Sequence, residues 1–221
     1  RKSLLDVGGN IGFFSQVFCL NNNEDNLKRA YCFEPSPYGL STCVEILDHN
    51  DWFDRIKMFP LFIGDKEDTV EILIEETKTF VALFEKQDKN HGIIDRGGRS
   101  RGTMITLDNF VWMAEMGAEE EKYGLDLVFE DKREITNKNY AGFKEDFNID
   151  TVKIDVEGYE EKVLKGAKEM LKKYKPLMFL EIHGHLLKLY NSSIMGVYSQ
   201  LMEAGYKIFN IHDQEIKNGK D

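Results

Sequence analysis

The chain has 221 residues, enough for one sizeable core, and its 42% hydrophobic, 12% aromatic and 31% charged residues exclude collagen-like, low-complexity and wholly disordered classes. No apolar run approaches the roughly 18 residues of a membrane span. With 29 Lys plus Arg against 39 Asp plus Glu, the formal charge of −10 opposes nucleic acid and anionic membranes as partners. The chain opens on Arg1-Lys2 and enters a core strand at once, so no signal peptide is read and a polypeptide trimmed upstream is expected. SLLDV at 3–7 is a short apolar strand. After the glycines, IGFFSQVFCL has helical spacing through Ile11, Phe14, Ser15 and Phe18. NNNEDN at 21–26 is a polar loop. RAYCFEP at 29–35 is a second strand, ended by Pro35 and Pro37. YGLSTCVEILDHN reads as a helix, and IKMFPLFIGD at 56–65 as a third strand with its exit turn. Strands that alternate with helices imply a parallel sheet covered on both faces.

The middle of the chain changes character. TVEILIEE (69–76), FVALFE (80–85) and GTMITLDNFV (102–111) alternate and read as hairpin-like strands beside the sheet. DRGGRSRG, with Arg96, Arg99 and Arg101, is the best basic patch: a solvated loop, or a clamp for a phosphate or carboxylate. Residues from about 112 to 147 are weakly patterned and carry EEEK and EDKRE runs, which fits a solvated insertion or lid. The α/β rhythm then resumes. DTVKIDVEG (150–158) is a strand, YEEKVLKGAKEMLKKY (159–174) an amphipathic helix, and PLMFLEIHG (176–184) a strand. SIMGVYSQLMEAG is a helix closed by Gly205, and YKIFNIHD a final strand. The fold class is α/β, Rossmann-like, with a mostly parallel sheet, helices on both faces and a β-rich insertion.

The three cysteines, Cys19, Cys32 and Cys43, have no CxxC spacing, so a zinc site is not expected. Their odd number points to a reducing compartment such as the cytoplasm, and Cys32 reads as a buried small hydrophobe.

LLDVGGNIGFFS has the layout of a nucleotide-binding turn, but a dinucleotide fingerprint starting at Gly8 needs glycine at 10 and 13, where Asn10 and Phe13 stand. What remains is Asp6, Gly8 and Gly12, with Gly9 extra. A ligand without phosphate needs only close backbone approach and an acidic group at the strand tip to hold a cationic part. S-adenosylmethionine, with its ammonium and sulfonium, meets that description. Asp6 supplies the acid, or else caps the turn. Glu34, at the tip of strand two, is placed to accept both ribose hydroxyls, or is a surface acid beside Pro35. Gly64 and Asp65, after strand three, are placed to cover an adenine face. The expected cofactor contacts are Asp6, Gly8, Asn10, Gly12, Glu34, Pro35, Ser36, Gly64, Asp65 and Asp155.

DVGGNIGFFS, FEPSP, TLDNF, VKIDVEGYEEKVLKGA and PLMFLEIHG, in that order, resemble the FkbM family of S-adenosylmethionine-dependent methyltransferases. The resemblance is poor over 112–147 and silent on the tail. It implies the open class I methyltransferase sandwich as one domain over 1–221. A full seventh strand barely fits in QEIKNGKD, so trimming is expected at both ends. It also implies O-methylation of a hydroxyl on a sugar, glycan or natural-product acceptor. Acceptor chemistry is expected at the ends of strands four and five, from Asp155, Glu157 and Tyr159, and from Glu181 and His183. Asp155 and Glu157, two apart on an extended strand, point the same way and could produce a base or cofactor scaffold, while Glu157 could instead cap the next helix. His183 is a natural general base, or a structural histidine. Asp155 with Glu181 and His183 could hold a divalent metal, which the resemblance does not require. His185 is placed in a loop, and His91 and His212 receive no role. A non-catalytic scaffold on the same fold is the alternative; intact Asp6, Gly8, Gly12 and Glu34 argue against it. A nucleic-acid methyltransferase is a third reading, against which stand the negative charge and the absence of a [DN]PP[YF] motif from this sequence.

Overall fold

The computed structural model describes residues 2–20, 28–75, 78–81, 98–116 and 147–218, with backbone alone for 71–75, 78–81 and 98–101. The first elements are β1 (Ser3–Val7), α1 (Phe13–Leu20), β2 (Arg29–Phe33), α2 (Pro37–Asn50), β3 (Ile56–Phe59) and β4 (Leu61–Ile63). β5 (Asp68–Glu75), β6 (Lys78–Val81), β7 (Gly98–Ile105) and α3 (Leu107–Glu115) follow. The last are β8 (Thr151–Ile154), α4 (Glu160–Lys165), α5 (Lys168–Tyr174), β9 (Leu177–Leu180), α6 (Gly184–Leu187), a 3-10 turn (Lys188–Tyr190) and α7 (Ile194–Glu203).

Five parallel strands form the central sheet in the order β3-β2-β1-β8-β9, so the chain reverses direction of growth at β1. Neighbouring residues on each strand serve opposite faces, as the two-residue strand period requires. Leu4, Ala30, Cys32, Ile56 and Met58 pack against Cys19 of α1 and Leu40, Cys43 and Leu47 of α2. Leu5, Val7, Tyr31, Phe33, Val152 and Ile154 face Phe110 of α3, Leu164 of α4, Met170 of α5 and Leu201 of α7. Phe33 lies 4.7 Å from Phe110 edge-on and 5.3 Å from Phe59 stacked, which ties α3 to the sheet centre. The helices on both faces, the mostly parallel sheet and the strand rhythm match the α/β reading. All three cysteines are buried, and burial pushes the thiols of Cys19 and Cys43 up to about 12.

A four-stranded second sheet, β4-β7-β5-β6, stands beside the first, with β5 antiparallel to both β6 and β7. It holds the strands expected from TVEILIEE and from the start of GTMITLDNFV; of FVALFE only Phe80 and Val81, on β6, are among the described residues. Arg99 and Arg101 lie on β7, opposite Leu73 and Glu71, rather than in a loop, and Arg96 lies outside the described residues, as does His91.

The structure corrects other expectations. The third strand is two strands, because Pro60 has no N–H to continue a ladder and the chain leaves the first sheet there for the second. DNFV is helix: Thr106 caps α3 by accepting the Asn109 N–H at 3.0 Å. Of the stretch read as a charged insertion over about 112–147, only the two edges are described. Residues up to Glu115 finish α3, Phe147 packs against Tyr31, and 117–146 lies outside the described residues. The helix read over 159–174 breaks in two, with Asp108 of α3 capping α5 through the N–H groups of Glu169 and Met170. YKIFNIHD makes one bridge, Phe209 to Glu215, because the chain turns back at Asn210, whose N–H donates to Gln214 O. His185 sits exposed in α6 rather than in a loop, and His212 in that last turn.

Candidate functional site

The C-terminal ends of β1, β2 and β8 open onto a cleft of about 420 Å³. Open α/β sheets bind ligands at this edge, where the strand order reverses. Gly8, Asn10, Glu34, Pro35, Ser36, Asp155 and Glu157 line it, together with Ile63 and the rings of Phe33, Tyr38, Phe62, Tyr159 and Tyr190. Among the described residues its wall carries carboxylates and no Lys or Arg side chain.

The β1 loop is pulled onto β2 by backbone bonds. The N–H groups of Gly8 and Gly9 both donate to Phe33 O, at 3.0 and 3.1 Å. Gly8 has φ +73°, and a Cβ there would meet Asp155 O at 1.9 Å, so only glycine fits. Glu34 is gripped by backbone: Oε2 accepts the Asn10 N–H at 2.8 Å and Oε1 the Ser36 N–H at 2.7 Å. Burial pushes its carboxyl above the ordinary range, against the pull of those two donors. Ser36 also caps α2, accepting the Gly39 N–H at 3.3 Å. Both carboxylate oxygens of Glu34 keep lone pairs beyond these bonds.

Asp6 is placed differently from the expectation of a ligand contact. It is fully buried, its Oδ2 accepts from Ser15 N and Oγ at 3.1 and 2.7 Å, and it is not part of the cleft wall. Its other oxygen faces Lys153 Nζ at 3.4 Å. Lys153, opposite Asp6 in the β1–β8 register, also reaches Asp155 Oδ2 at 3.4 Å, donates to Gly8 O at 2.8 Å and lies 5.2 Å from the Phe14 ring centre. It fixes the glycine loop to both strands. Gly12 packs on Cys43 away from the cleft. Gly64 and Asp65 are likewise off the wall, and Asp65 pairs with Lys165 at 3.0 Å and Lys162 at 3.4 Å.

On the β8–β9 side, where Asp155 and Glu157 are part of the cleft wall and Glu181 and His183 are not, β8 stops at Ile154, so Asp155 and Glu157 do not share an extended strand. Glu157 has φ +52° and Gly158 φ +99°, a tight turn pressed onto α6 so that a Cβ on Gly158 would meet Leu186 Cβ at 2.6 Å. That turn brings the carboxylates to His183 all the same: its Nε2 faces Glu157 at 3.6 Å, Glu181 at 3.7 Å and Asp155 at 3.9 Å. Its Nδ1 bonds Glu160 Oε1 at 2.9 Å. Burial pulls the His183 pKa down, but the Glu160 bond and the charges of Glu157, Glu160 and Asp155 outweigh it and raise it. Burial holds the phenols of Tyr159 and Tyr190 up to about 12, which leaves Tyr159 a donor and not a base near neutral pH. Asp155, Glu181 and His183 offer ligand atoms within 4.8 Å of one another, an arrangement that exposed acids also adopt without an ion.

Sequence reasoning missed Lys153, Glu160, Phe62 and Tyr190. Lys153 and Glu160 stand inside the quoted VKIDVEGYEEK stretch; a lysine in the middle of an apolar strand was the available signal. Tyr190 gives none.

The fold and this edge define an open, mostly parallel α/β protein with a cleft at the reversal of strand order. The family model described as the methyltransferase FkbM domain matches residues 6–208, and the chain belongs to that family. Among solved structures it is similar to methyltransferase FkbM from Methylobacillus flagellatus KT, at 16% identity and a TM-score of 0.49, over 91% of this chain. It spans 38% of the length of that protein. No helix among the described residues is long and apolar enough to cross a membrane.

Proposed function

We propose that this chain is an S-adenosylmethionine-dependent methyltransferase that methylates a hydroxyl of a sugar or small natural-product acceptor. One observation carries the reading: the cleft joins aromatic walls to the carboxylates of Glu34, Asp155 and Glu157, with no Lys or Arg among its described lining. Such a wall suits a cation with a flat apolar part and opposes a phosphate. Glu34 would hold the ribose hydroxyls, and the Gly8 loop would lie against the cofactor. Asp6 and Lys153 would act behind the wall, keeping that loop in place. When bound, S-adenosylmethionine supplies a methyl group activated by its sulfonium. The chain's own residues bind and orient the partners, exclude water, and take the acceptor's hydroxyl proton at His183 Nε2. Glu157 and Glu181 flank that nitrogen and stabilise the imidazolium that forms.

Calorimetric titration of S-adenosylmethionine and S-adenosylhomocysteine tests the cofactor, with Glu34→Ala beside the wild type. Micromolar binding that the variant loses is expected, and undetectable binding to the wild type overturns the reading. Transfer of labelled methyl to a panel of hydroxylated acceptors, against amine and carboxylate controls, then tests the chemistry.

A further inference from the structure

Glu160 is the first residue of α4, where an acid is ordinarily solvated, yet it is fully buried. Its Oε1 accepts the Gly158 N–H at 2.9 Å and lies 2.9 Å from His183 Nδ1. The His183 N–H approaches the same oxygen at 3.4 Å. One buried carboxylate thus touches the ring of His183, its backbone, and the turn that carries Glu157. Oε1 already accepts the Gly158 N–H, so the ring atom that faces this oxygen carries the proton. In the neutral ring this leaves the lone pair on Nε2, which has no hydrogen-bond partner among the described residues and looks at Asp155, Glu157 and Glu181.

We infer that Glu160 is a positioning residue that holds His183 in the Nδ1–H tautomer and aims its Nε2 lone pair at the acceptor hydroxyl. The inference rests on the reading of His183 as the base. Free neutral imidazole side chains favour the opposite tautomer, so Glu160 makes a difference that can be measured. It also fixes the distance between the base and the Glu157 turn, because Gly158 and His183 share its oxygen.

The test is the nitrogen spectrum of the protein labelled in its five histidine rings, assigned with His183→Gln and recorded where the rings are neutral. It needs neither cofactor nor acceptor. In the wild type, a protonated Nδ1 and a pyridine-like Nε2 are expected for His183. In Glu160→Ala the tautomer should revert to Nε2–H, and kcat should fall on the order of 100-fold with KM for the acceptor within about twofold. Glu160→Gln, whose amide oxygen accepts the same N–H, should restore the tautomer and most of kcat. A wild-type ring protonated on Nε2 overturns the inference, and that spectrum decides even if Glu160→Ala does not fold. An unchanged tautomer in a folded Glu160→Ala overturns it too, as does full kcat with the tautomer reversed. If the spectra come out as expected but no acceptor is methylated, the proposed function fails and the tautomer assignment stands.

Discussion

At the β1–β2 edge of the cleft, backbone does the holding: Gly8 and Gly9 donate to Phe33 O, and Asn10 and Ser36 donate to Glu34. At the β8–β9 edge the same task falls to side chains from separate elements, with Glu160 of α4 gripping His183 and the Glu157 turn closing on both. A site made of backbone depends on conformation, so it fails through loss of fold. A site made of side chains depends on chemistry, and it can fail while the fold survives.

Gly8→Ala breaks the first edge most severely. The new Cβ would sit 1.9 Å from Asp155 O at a φ of +73°, so β1 and β8 must separate, at a cost of at least about 4 kcal/mol. Denaturant unfolding checks this, and a loss below about 1 kcal/mol would show that the loop has room to move. His183→Ala should act mainly on turnover. It should lower kcat on the order of 10³-fold, about 4 kcal/mol, with cofactor affinity within about twofold and a loss of stability smaller than that of Gly8→Ala. Equal damage to affinity would place His183 on the cofactor side instead.

Lys153→Met tests whether the two edges are mechanically joined. Its ammonium sits between Asp6, which is fully buried, and Asp155. Removing it strands the Asp6 charge, and a loss of about 3 kcal/mol is expected. The double variant with Asp6→Asn should recover part of that loss. Purely additive losses would mean that the two groups do not communicate. Glu34→Gln is milder. The amide keeps one acceptor oxygen for two backbone donors, and S-adenosylmethionine affinity should fall about 30-fold, close to 2 kcal/mol.

The contrast between the edges also explains what the sequence discloses. DVGGN and FEPSP are contiguous because turns, strand tips and caps are local events, and glycine, proline and serine mark them. Asp155, Glu157 and His183 were legible as chemistry-bearing residues at strand ends. The approach of Asp155, Glu181 and His183 was legible too, but the turn that brings Glu157 to them was not, since it is set by contact of Gly158 with α6, which has no sequence signature. Glu160 looked like one more acid on a charged helix, and only tertiary burial distinguishes it from Glu161. The cap that Asp108 places on α5 is 61 residues away from Glu169, which is why one helix was read where two exist.

The smallest effect expected is a slope with pH, and it too separates the edges. The pKa of His183 in the folded protein is raised above its ordinary 6.5: burial lowers it, but the Glu160 bond and the charges of Glu157, Glu160 and Asp155 prevail. Glu181 Oε1, at 3.7 Å from Nε2, adds a further carboxylate to that surround. Since the raised value belongs to the folded state, the imidazolium stabilises the fold in full below the unfolded pKa, and this contribution is lost as pH rises through the folded one. Turnover has the opposite slope, because Nε2 accepts a proton only once it has lost its own. The stability difference between wild type and His183→Gln should therefore shrink from about pH 5 to pH 9, while kcat of the wild type climbs over the same interval. A stability difference that widens with pH would mean that the carboxylates around His183 do not hold its proton, and kcat already at its plateau near pH 5 would remove His183 as the base.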